Sequence, residues 1–179
     1  MRAFFRRGVY ILFKKNLLLT NCISSGVFLG LGDLVQQEIE YQSKLLKERY
    51  DWTRTGRMFL IGTLLGPIHH YYYIYLDKVL PGIDVKTITK KIALDQVIAS
   101  PVFIVLFFYG MGILENKTRE QNVQDVKRKF LPTFVGDCLF WPPVQYFNFY
   151  YLPNQYRVFY GNVATMVINV FYSYIQHQY

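Results

Sequence analysis

Phe130 to Arg157 reads FLPTFVGDCLFWPPVQYFNFYYLPNQYR, and the fold turns on how that stretch is read. From Phe130 to Leu152 it holds a single ionisable residue, Asp137, and it is long enough to cross a hydrocarbon core. It also carries the pair Pro142-Pro143, many aromatics, and the polar residues Gln145 and Asn148. A core helix in water rarely combines these. A membrane helix can, because neighbouring helices, side chains or water re-satisfy the carbonyls that prolines leave open. Asp137, Trp141, Gln145 and Asn148 fall at i, i+4, i+8 and i+11, one stripe on a continuous helix, which the Pro pair is expected to bend.

Working outward, the chain has 179 residues, 52% hydrophobic and 18% aromatic, with a formal net charge of +8. The basic residues lie between apolar blocks rather than along one helix face, which argues for a polytopic membrane protein over a nucleic-acid binder. The expectation is a single all-α membrane domain, 1–179, with membrane segments at 17–37, 58–76, 92–114 and 130–152. The apolar segment 158–175 either spans or packs on this bundle. Residues 1–16 make a basic amphipathic start, with Arg2, Arg6, Arg7 and Lys14 gathered on one side. Such a start suits mitochondrial targeting or an anionic membrane surface. No cleavable secretory signal is expected. Cys22 and Cys138 form no CxxC pair and read as buried free thiols.

The linkers 38–57 and 115–129 read as charged and too polar to be buried. Orientation stays open: the start and the linkers 38–57, 77–91 and 115–129 hold five, five, four and five Lys/Arg. The positive-inside rule needs asymmetry. Gly26 and Gly30 on the first segment, and Gly62 and Gly66 on the second, are spaced for close helix packing.

Three arrangements bear on chemistry. Gly30-Leu31-Gly32-Asp33 matches the GxGD element of intramembrane aspartyl proteases, but neither Asp95 nor Asp137 sits in the Tyr-Asp context a second catalytic carboxylate has there. His69-His70 cannot chelate one ion from a regular helix, since adjacent side chains leave it about 100° apart. An enzyme is not expected, nor a metal or cofactor. The remaining pattern is a polar group on the small-residue face of nearly every segment: Asp33, His70, Asp95, Gln96, Asp137, Gln145, Asn148 and Arg157. Carboxylates at mid-membrane cost roughly 2.5–3.5 kcal/mol, so they mark either a polar pathway or buried interhelical pairs. The residues alone leave both readings open, with the balance toward pairing.

Trp141-Pro142-x-x-Gln145-x-x-Asn148-Phe149-x-x-x-Pro153-x-x-x-Arg157 resembles the signature of the MPV-seventeen/peroxisomal-membrane-protein family. Gly30-Leu31-Gly32-Asp33, the Gly66-to-Pro81 run and Leu94-to-Pro101 fit the family's earlier helices. The His70 context, Ala99-Ser100-Pro101 and the Gly110-x-Gly112-x-x-Glu115 ending are similar to its like-two branch. The resemblance implies a small four-helix integral protein of the mitochondrial inner membrane, with a peroxisomal alternative. For the like-two branch it implies a membrane scaffold for mitochondrial ribosome assembly and translation. For other members it implies a weakly selective pore for small solutes. The partners so implied are the lipid bilayer, mitochondrial ribosomal subunits or small solutes, and a second copy of the chain, with the scaffold role placed ahead of the pore.

Overall fold

The computed structural model describes residues 10–178. Arg2, Arg6 and Arg7, and with them most of the basic start, lie outside the described residues. A π-helical turn, Ile11–Lys15, leads into five long helices: α1 (Leu17–Gln42), α2 (Trp52–Val79), α3 (Val85–Leu114), α4 (Arg119–Tyr151) and α5 (Asn154–Gln178). The described residues are all-α, and successive helices run up and down through one bundle.

The solvent for which this bundle is built can be read from what it hides. Among the described residues, 22 polar or charged side chains are buried against 15 hydrophobic ones, while Leu31, Ile68, Val97, Leu139 and Val167 point outward. Water would drive the opposite sorting; hydrocarbon favours this one. Three helices are both long and apolar enough to cross a membrane: Leu17–Gln42, Val85–Leu114 and Gln155–His177. The last contains the segment 158–175, whose role the sequence left open. α2 and α4 have the length, at 28 and 33 residues, but their polar stripes dilute their apolar character.

Two expectations are corrected. Polar stretches read as linkers are largely helical, because their charges cap and pair rather than dissolve. α1 continues to Gln42, α2 begins at Trp52 with Asp51 accepting from the Thr53 and Arg54 amides, and α4 begins at Arg119 inside a Thr118/Gln121 capping box. Glu40, Arg54 and Lys129, all from those stretches, are buried. Nor is Cys138 buried: both thiols are free, but Cys22 is half-buried and Cys138 lies on the exposed side of α4. α4 also stays one helix through Pro132, Pro142 and Pro143, so its polar stripe is continuous.

α1 and α2 meet through small residues. A Cβ placed on Gly66 would lie 2.6 Å from the Cys22 Cα, and one on Gly62 would lie 2.8 Å from the Ser25 carbonyl oxygen. Gly26 meets the Phe59 carbonyl at 2.7 Å, whereas Gly30 has ordinary room.

Candidate functional site

The bundle centre is shaped by a break in α3. Pro101 has no N–H, so the regular ladder cannot continue through it, and residues Asp95–Ala99 widen into a π-helical turn. The Ser100 amide donates to the Asp95 carbonyl, five residues back. This bulge turns Asp95, Ala99 and Ser100 together toward α4 and α5, where they line an internal cavity of about 90 Å³. That is well above the ~10–15 Å³ one water needs. Most of its wall is apolar, from side chains such as Leu29, Leu65, Phe103, Ile104, Phe107 and Phe108; the polar groups that reach it include Tyr73, Asp95, Ser100, Asp137, Gln145 and Tyr172.

Two carboxylates face this space, Asp95 held by one side-chain amide and Asp137 by three donors. Gln145 Nε2 donates to Asp95 Oδ2 at 2.9 Å and to the Tyr73 hydroxyl at 2.6 Å. Its Oε1 accepts from Asn148 Nδ2 at 3.0 Å. Asp137 accepts from Ser100 Oγ at 2.6 Å, from Trp141 Nε1 at 3.2 Å and from the Tyr172 hydroxyl. The donors lock the side chains of α4's stripe in place, and the cavity leaves room beside them.

Two buried ion clusters flank the cavity toward opposite ends. At the α1–α2 hairpin, Arg54 Nε donates to Asp33 Oδ1 at 2.8 Å, Nη1 to Glu40 Oε2 at 2.6 Å, and Nη2 to Ser173 Oγ at 2.7 Å. Gln37 and Thr55 complete Asp33 at 2.7 and 2.8 Å. At the other end Arg157 Nη1 meets both oxygens of Asp77 at 2.6 Å, and Lys91 Nζ meets Asp77 Oδ1 at 2.6 Å. Both cations also lie 5.3 Å from the Phe149 ring centre. With every group ionised, the first cluster carries one net negative charge and the second one net positive charge.

The polar residues singled out from the sequence therefore divide. Asp95, Asp137 and Gln145 share the cavity, with Asn148 bonded behind them. Asp33 and Arg157 belong to the end clusters. His70 Nδ1 accepts from Asn21 Nδ2 at 2.8 Å, tying α2 to α1, and its neighbour His69 lines the cavity instead, stacked on Phe103 at 3.7 Å. Gln96 is half-buried, stands outside the cavity, and neither end of its amide has a hydrogen-bond partner among the described residues. Trp141, Pro142, Phe149 and Pro153 place the stripe: Trp141 bonds Asp137, Phe149 receives the two cations, and Pro153 separates α4 from α5. Glu40, Arg54, Tyr172 and Ser173 were not picked out from the sequence. Only the opposite charges of Glu40 and Arg54 across a short hairpin could have signalled them.

A helical bundle with apolar outer walls and carboxylates, amides and a cavity inside is an integral membrane protein with a polar interior. Comparison with known proteins narrows that class. Residues 112–173 match the model of the Mpv17 / PMP22 family. PXMP2/4 family protein 4 of Dictyostelium discoideum is 38% identical over 148 residues, covering 82% of this chain and 80% of that protein. Mitochondrial inner membrane protein Mpv17 of Danio rerio is 31% identical over 84% of this chain and 85% of its own length. Peroxisomal membrane protein 2 of Bos taurus is 28% identical over 83% and 78%. The chain belongs to the Mpv17/PMP22 family. No solved structure matches it.

Proposed function

We propose that this chain is a non-enzymatic protein of an organellar membrane whose bundle interior serves as a narrow passage for small polar solutes. The mitochondrial inner membrane, named for the Mpv17 relatives, is the first location, and the peroxisomal membrane is the alternative. The observation that carries the reading is the placing of two carboxylates, Asp95 and Asp137, around one cavity at the centre of the bundle. Pure interhelical glue has no use for open space beside its donors; a polar route does.

The scaffold reading has less support from the geometry. The run Lys127-Arg128-Lys129 would offer cations to ribosomal RNA, yet Lys129 is buried and donates to the Gln176 carbonyl and side chain at 2.8 and 2.9 Å. Lys127 and Arg128 remain exposed.

Reconstitution into planar bilayers tests the proposal. Conductance above protein-free controls is expected, altered by Asp137→Ala and by Gln145→Leu. Silent bilayers after verified insertion, or conductance blind to both substitutions, count against it. Co-sedimentation with mitochondrial ribosomal subunits alongside silent bilayers would turn the reading to the scaffold.

A further inference from the structure

The outer surface of the bundle has an unfilled furrow between α4 and α5. Gly136, Leu139 and Phe140 form one side, Val167, Ile168 and Phe171 the other, and the open volume is about 430 Å³. At its floor Gly136 lets the Phe171 ring lie close against the α4 backbone: a Cβ there would lie 2.6 Å from the ring. Every lining residue is apolar or glycine, and the rims Leu139 and Val167 are strongly exposed. In a membrane this furrow opens onto hydrocarbon, where an acyl chain can fill it and water cannot.

What lies at its end gives the occupant a headgroup. Stepping back along α4 from Leu139 by helical spacing passes Val135 and Pro132 and reaches Arg128 on the same stripe, roughly 16 Å away at 1.5 Å per residue. Arg128 is exposed, and its one carboxylate contact is long, Nη2 to Asp125 Oδ1 at 3.4 Å, while Lys117 holds the other oxygen of Asp125 at 2.6 Å. On α5 the exposed Tyr174 lies seven residues beyond Val167 and so on its side of the helix, toward that same end. Phenol and guanidinium thus stand where the apolar outer face of α4 gives way to charge, the level at which lipid phosphates lie. The geometry points to a binding site for one anionic phospholipid, with an acyl chain in the α4–α5 furrow and its phosphate at Arg128 and Tyr174.

Electron paramagnetic resonance of the full chain in vesicles decides this, with acyl-chain-labelled phosphatidylglycerol and phosphatidylcholine as probes. The immobilised component is expected to favour phosphatidylglycerol about fivefold, the effect of one cation near the surface. Arg128→Gln removes that preference. Lys127→Gln, about 100° round the helix from Arg128, keeps most of it. Val167→Trp and, independently, Leu139→Trp fill the furrow from its exposed rims and lower the immobilised fraction of both probes. Equal binding of the two lipids overturns the site. So does equal sensitivity to Lys127→Gln and Arg128→Gln, which marks diffuse surface attraction. A dimer that Val167→Trp dissolves overturns it too, by showing that a second copy of the chain occupies the furrow.

Discussion

Replacing Arg54 with methionine removes the one guanidinium that holds Asp33 and Glu40 inside the bundle. Both carboxylates are essentially inaccessible, at 0% and 1% exposure, and Arg54 itself is 5% exposed. The substitution keeps apolar bulk but deletes bonds at 2.8 and 2.6 Å to the two carboxylates and one at 2.7 Å to Ser173. Two charge-assisted bonds at about 1.5–3 kcal/mol each give roughly 3–6 kcal/mol. Breaking a buried pair from one side typically costs about 3–5 kcal/mol, because the remaining charge has lost its partner. The expected loss is therefore about 3–5 kcal/mol, read as equilibrium unfolding in mixed micelles by circular dichroism. The triple variant Arg54→Met, Asp33→Asn, Glu40→Gln removes the stranded charges and should recover most of that loss. A single variant within 1 kcal/mol of the parent, or a triple variant no better than the single, would refute the reasoning.

The other end should respond more mildly. Arg157→Met leaves Asp77 still paired with Lys91 at 2.6 Å, so the same assay should show a smaller loss than Arg54→Met. Gly66→Ala should destabilise by about 1–3 kcal/mol, since its methyl group must push α1 and α2 apart. Gly56→Ala, with nothing within 4 Å, should be neutral or stabilising by up to about 1 kcal/mol through helix propensity; the reverse order of these two would contradict the packing described. Asp84, in the loop before α3, accepts from the Thr87 amide at 2.9 Å, and its bonds to Thr87 hold its carboxyl below the usual range. A lowered folded pKa means the cap contributes fully above the ordinary carboxylate value of about 3.9 and fades as pH falls through the lower folded value. The stability difference between parent and Asp84→Asn, followed by titration to acid, should shrink in that window; a difference growing toward acid contradicts it.

Much of this architecture was legible because hydrocarbon solvation writes a simple code. The stripe Asp137, Trp141, Gln145, Asn148 reads directly as the inward face of α4, and small residues at Gly26, Gly62 and Gly66 mark where α1 and α2 close. Charge partners were harder. Glu40 and Arg54 looked like linker residues because a charge in sequence gives no hint of burial; the hairpin brings them together 14 positions apart. Asp77 and Arg157 meet across 80 positions, which helix periodicity cannot register. The cavity depends on the π-helical turn ahead of Pro101. A proline's missing N–H implies an interruption there, but not that the ladder widens and turns Asp95 and Ser100 to one side. The Pro pair of α4 does not end the helix, so Gln145 and Asn148 beyond it belong to the same helix as Asp137.

The account stands on the bundle being sorted polar-in and apolar-out against lipid. Nitroxide labels at Leu31, Ile68, Leu139 and Val167, one at a time in reconstituted protein, measure that sorting through their collisions with oxygen and with a water-soluble nickel chelate. Each of these sites should relax strongly with oxygen and weakly with the chelate. Ready access of the chelate to all four would mean that water surrounds those faces, and the sorting described here would be wrong.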